Sequence, residues 1–204
     1  MKFPKIEAIR KLGKSHTGRV AMLAIPTGVV SALLMGGVAQ GAVPVSFAIS
    51  GTQFKIASSQ LEGTGFSQYS GVAKDADGKQ HPVVTANIKD ATLENLCQSA
   101  VQDTPLGKVG ILIKAGGKGT PASAKDLQIG MTGLKGDAEF KNIRIGVDAS
   151  KVNTKAKGSK GDFSQDSDTV SIKDLKQDSW STTASVFTLK DMSLKLTDGS
   201  ETCD

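Results

Sequence analysis

The sequence predicts an all-β fold: a bulged, curved antiparallel sheet forming a sandwich or an elongated trough, preceded by one N-terminal apolar helix. Past residue 42 apolar side chains recur with period two, the spacing of a strand with one buried face. Gly 23 and Pro 6 against only 4% aromatic residues favour many turns and small-residue packing over a helical bundle. A short motif also recurs about six times in which an Asp or Asn interrupts the alternation and reverses its phase.

The chain opens with a targeting device. Val20 to Ala39 carries no charged residue, and about 20 apolar residues match the hydrocarbon thickness of a bilayer. Lys2, Lys5, Arg10, Lys11, Lys14 and Arg19 stand before or at the start of this run against Glu7 alone, so the positive-inside rule keeps them in the cytoplasm and sends the rest outward. Small residues at Gly37, Ala39, Gly41 and Ala42 suit removal after Ala39 or Gly41. The run exceeds the usual signal-peptide core, so a retained signal-anchor helix is the alternative. The expected organisation is a basic leader with signal peptide or anchor over 1–42 and an extracytoplasmic β domain over 43–204, secreted or held on the outer face of the cytoplasmic membrane. Gly13-Lys14-Ser15 lacks the earlier glycine of a phosphate-binding loop and reads as leader charge.

The net charge of +5 belongs to the leader. Removing its six basic and one acidic residue from 25 and 20 leaves 19 of each. A neutral domain offers no footprint for phosphate backbones, and nucleic acid is excluded as a partner.

Within the domain, Val43 to Ile49 and Phe54 with Ile56 read as two short strands. Phe66 to Val72 and Val83 to Ile88 read as a pair flanking Lys74-Asp75-Ala76-Asp77-Gly78, a tight reversal without the later acidic ligands of a calcium loop. The motif copies centre on Asp90, Asn95, Asp126, Asn142, Asp174 and Asp191, with apolar residues at spacing two on either side. One extra residue at each centre would let both apolar sets face one side, and Asp and Asn tolerate the backbone angles this needs. Copies starting at 122 and 138, and at 170 and 187, suggest hairpins reversing near Gly133 to Gly136 and Gln177 to Thr183. Ala149 to Ser167 has almost no apolar residue and reads as a mobile surface excursion, and Ala115 to Pro121 as a turn.

Little here points to catalysis. The exported part has one histidine, His81, before Pro82 in the inferred hairpin, where an exposed ring is expected, and no Gly-x-Ser-x-Gly elbow occurs. No catalytic residue, metal ligand or cofactor site is assigned. Cys97 and Cys203, an even pair in an exported chain, are expected to form a disulfide. Trp180 and Tyr69 are each alone of their kind and read as core rings, while Lys173, Lys190 and Lys195 would discourage edge pairing.

The run containing "SGTQFKI", "LEGTGFSQY", "ATLENLCQS", "AEFKNIRIGVDAS", "SWSTTASVFTLKDMSLKL" and "ETCD" resembles a family of exported actinomycete proteins of unknown function. Members of that family are often labelled cholesterol esterase by automated naming, and the resemblance implies that label here. Three functions follow as expectations. The first is a non-catalytic envelope protein whose sheet trough binds lipid or a partner's hydrophobic segment; its partners are a membrane or lipid and an envelope protein. The second is a secreted hydrolase of sterol or lipid esters, and the third a structural or assembly subunit of the cell surface.

Overall fold

The structure, a computed structural model, describes residues 50–203; the apolar run, the strand expected over Val43 to Ile49 and the first seven residues of the β domain lie outside them. The described chain is all β apart from one turn of 3-10 helix. Nine strands run in order as β1 Phe54–Lys74, β2 Gln80–Glu94, β3 Leu96–Thr104, β4 Gly107–Ala115, β5 Ala122–Lys141, β6 Arg144–Asp148, β7 Phe163–Thr183, β8 Val186–Thr188 and β9 Ser193–Thr197. All pair antiparallel in one sheet ordered β6-β7-β5-β2-β1-β3-β4-β9, with β8 beside β5.

The sheet also closes on itself, because β7 pairs β5 along one edge and β1 along the other. From Leu61 in β1 the ladder leads through Leu93 to Ala122, and in the other direction through Ile172 to Ala138. The two routes reach β5 sixteen positions apart (122 and 138), and a stagger this large in a four-strand circuit demands steeply tilted, coiled strands.

Coiling comes from the motif. Asn95, Asp126, Asn142, Asp174 and Asp191 adopt left-handed backbone angles, with φ between 47° and 55°. Asp90 does not; it sits in unbroken register opposite Thr64 and Lys125. The reversal of phase at its copy is supplied by its neighbours, since Lys89 lies opposite Gly65, at φ 63°, and Asp126, at φ 47°.

These residues line up in two seams across the sheet. One runs Asn142, Asp168, Gly65, Lys89, Asp126, and the other Asp174, Ser59, Asn95. Side chains tie both: the Asn142 amide donates to Asp168 Oδ2 at 2.7 Å, Asn95 Nδ2 to Ser59 Oγ at 2.9 Å, and Ser185 Oγ to Asp126 Oδ2 at 3.0 Å. At each seam two successive rows point outward, so apolar sets of opposite phase both point in. Ala122, Ala124, Leu127 and Ile129 are all buried around exposed Lys125 and Asp126, as are Val170, Ile172 and Leu175 around Lys173 and Asp174. With Leu61, Phe66, Ile88, Ala91, Leu93, Leu96 and Met131 they fill the interior.

Two expectations fail here. No reversal occurs at Gly133 to Gly136 or Gln177 to Thr183, which lie inside β5 and β7; the surplus residues are absorbed as register shifts between Gly130 and Met131, Met131 and Gly133, and Lys135 and Asp137. Nor is Ala149 to Ser167 a surface excursion. Phe163 onward belongs to β7, while Ala149, Val152 and Thr154 are buried and Gly158 packs against the Tyr69 ring.

Asp174→Val places a β-branched residue at φ 50° and should lower stability by about 1–2 kcal/mol in urea unfolding, with Asp174→Gly costing less. Asp90→Val, at an exposed position without that angle, should be neutral or stabilising.

Candidate functional site

Four features could carry chemistry or binding. The first surrounds His81, which is buried rather than exposed: its Nε2 lies 2.9 Å from Asp75 Oδ2 and its ring stacks on Trp180, centroids 3.8 Å apart. Asp75 closes the β1–β2 turn by accepting from the Asp77 and Lys79 amides. Its hydrogen bond with His81, opposed by desolvation and aided by those amides, holds its carboxyl below the ordinary range. Trp180 reaches His81 because it is the extra residue of a bulge: Gly130 faces Ser181 while Met131 faces Ser179. Ala73 and Val83 complete a small apolar cluster with it. Among the described residues no hydroxyl or thiol is hydrogen-bonded to His81, so the pair has a base and an orienting acid but no nucleophile.

The second is a polar row on the outer wall beneath residues 149–162. Gln128 donates to Asn87, Asn87 to Ser67, and Ser67 bonds Thr154 of the covering segment at 2.5 Å. Beside it Asp166, fully buried, accepts from Arg144 Nε at 2.8 Å, Arg144 Nη2 at 2.5 Å and the Asn153 amide at 2.6 Å. Burial pushes the Asp166 carboxyl up, but the Arg144 hydrogen bonds, the Asn153 amide and the positive charges of Arg144 and Lys157 outweigh it and hold the carboxyl low. Arg144 is raised in turn by the same hydrogen bonds. Every member has a partner inside the protein, which makes this a device for seating the loop.

The third is a cleft of about 770 Å³ between β3, β4 and the C-terminal tail, lined by Leu96, Leu112, Lys114, Asp191 and Glu201 among others. Cys97 and Cys203 form a disulfide, Cα atoms 5.7 Å apart, and the Cys203 amide donates to Ser99 Oγ at 3.0 Å. This bond pins the tail over the outer face of β3.

The fourth was not foreseen. The inward row through Phe54 continues through Ala100 and Ile111 to Leu196, and the next through Ile56, Gln98 and Ile113 to Leu194. Ile56 is buried, but Ile111 is 45% exposed, Leu194 60% and Leu196 69%. The core face thus runs out of the closed circuit onto an open wing, β3–β4–β9. Its alternation was visible in the sequence; that nothing in the described chain covers it was not.

Among the described residues no group of three His, Cys, Asp or Glu could hold a metal ion, and no helix is long and apolar enough to cross a membrane. Residues 50–204 match a family model described as a family of unknown function, DUF6230. The chain belongs to that family. No curated protein and no solved structure matches it. The matched stretch spans both seams, the disulfide and the open wing.

Because the Asp166 carboxyl is depressed in the folded state, its stabilisation is present above the unfolded value near 4 and is lost as pH falls through the folded value. Asp166→Asn should therefore be less stable than the parent at pH 7, with the gap in urea midpoints shrinking at pH 3. Replacing both cysteines should cost up to roughly 4–5 kcal/mol by loss of a crosslink closing so long a loop, read from thermal or urea unfolding.

Proposed function

We propose that this is a non-catalytic domain of the cell envelope that binds lipid, or the hydrophobic segment of an envelope partner, on an open apolar sheet face. The observation that carries this reading is the continuation of the core face onto β3–β4–β9, where Ile111, Leu194 and Leu196 stand exposed side by side. Such a contiguous patch on a soluble surface marks an interaction site. The closed part of the sheet is packed with its own side chains, so the binding surface is the wing and not an interior trough. The leader's charge and apolar run support placement outside the membrane, and a disulfide accords with an oxidising compartment.

The ester hydrolase reading has the Asp75–His81 pair in its favour. The two separate in one experiment. Organic extracts of the purified protein should contain lipid by mass spectrometry, and an Ile111→Ser/Leu196→Ser variant should carry several-fold less at equal folded protein. Lipid-free extracts, with fluorophosphonate labelling abolished by His81→Ala, would transfer the assignment to hydrolysis.

A further inference from the structure

We propose that the β3–β4 hairpin and the wing it belongs to insert shallowly into a lipid bilayer surface, with Leu106 as the leading side chain. This rests on the reading above for placement outside the membrane and narrows its ligand from any hydrophobic partner to the bilayer itself.

Leu106 is 98% exposed at the tip of the hairpin. The tip is built: Thr104 Oγ1 donates to the Gly107 carbonyl at 2.8 Å and accepts from the Leu106 amide at 3.3 Å, which holds the leucine outward between Pro105 and Gly107. Behind it the hairpin presents Val109, Ile111 and Ile113 on one face, extended by Leu194 and Leu196 of β9. Next to the tip, on the opposite side of the hairpin from that face, Lys108 pairs with Asp103 at 2.9 Å. An apolar tip and one apolar face with charged side chains on the other is the arrangement that lies at the boundary of headgroups and acyl chains.

A second copy is the poorer occupant. Edge pairing through β9 meets its central residue, Lys195, engaged with Glu201 at 2.5 Å; a lysine at the middle of an edge strand opposes pairing with a like strand. A projecting, fully exposed leucine also gives a flat partner nothing to close over, whereas acyl chains conform to it.

Chain length supplies the remaining argument. The apolar run ends at Ala39 and the described domain starts at Ser50, so ten residues, 40–49, separate them. Even fully extended they reach only about 36 Å. Phe54, in the first pair of β1, shares its row with Leu196 three strands away, a distance of about 14 Å at ordinary strand spacing. If the run is retained as an anchor, the wing lies within reach of the membrane that holds it.

The test uses the full chain reconstituted in phospholipid vesicles, carrying a single environment-sensitive fluorophore on Leu106→Cys, Leu196→Cys or, as control, Ser159→Cys; the native cysteines are engaged with each other and do not label. Exposure of all three sites leaves folding undisturbed. Expected are a blue shift and at least two-fold quenching by spin-labelled lipid at 106 and 196, with neither at 159. A water-like spectrum at 106 and 196 overturns the proposal. A blue shift without lipid quenching also overturns it, in favour of a second copy or another protein. Lipid in the organic extract with no quenching at 106 sinks bilayer insertion alone and leaves lipid binding on the wing standing, so the two readings fail separately.

Discussion

The fold depends on a constraint shared between strands: where one strand reverses the phase of its side chains, every strand paired with it must reverse in the same row. A lone left-handed residue in a long strand would throw the following side chains onto the wrong face relative to their neighbours. Here Asn142, Gly65 and Asp126 do this in alternate strands of one seam, and Asp174 and Asn95 in the other. Each intervening strand passes with ordinary angles at Asp168, Lys89 or Ser59. The sheet is bent along two lines rather than kinked at isolated points, and a strand of 21 residues can coil far enough for β7 to meet both β5 and β1.

Alternate placement explains which motif copy was misread. Asp90 stands in the same motif as Asp126, each after a lysine and between apolar residues at spacing two, yet only Asp126 takes the left-handed angle. In one seam row the chain needs that conformation at Gly65 and Asp126, on either side of β2, and a third at the strand between them would be redundant. Sequence periodicity reports where the phase changes in each strand. It cannot report which strand of a pair holds the unusual backbone, because that is a property of the row.

Legibility followed the range of the interaction. The class of fold, the apolar sets and the Cys97–Cys203 bond were readable because each is encoded in local pattern or in a pair of residues with no competitor. Closure was not, since β5 looks broken at Gly133 to Gly136 and β7 at Gln177 to Thr183 until the register shifts at Met131 and Gly133 are known. His81 beside Pro82 reads as a surface ring; it is buried by Trp180, ninety-nine positions later (81 and 180), a residue redirected by a bulge no local signal announces. Residues 149–162 looked mobile for want of apolar side chains, but polar hydrogen bonds to Ser67 and Asp166 fasten them instead.

The open wing follows from the same geometry that closes the rest. At Phe54 to Ala57, β1 is paired with β7 on one side and β3 on the other, so both of its edges are occupied. Among the described residues the ladder continues from β3 to β4 and β9 and ends there, and no strand from the far side of the circuit returns to pair beyond it. The disulfide and the tail cover only the outer face of this extension. Its inner face inherits the apolar phase of the core rows without an opposing wall. Threonine at Ile111, Leu194 and Leu196 would keep strand propensity and remove the exposed apolar area. Ile111, Leu194 and Leu196 therefore carry the apolar rows of the core into solvent, with Leu106 98% exposed at the hairpin tip beside them.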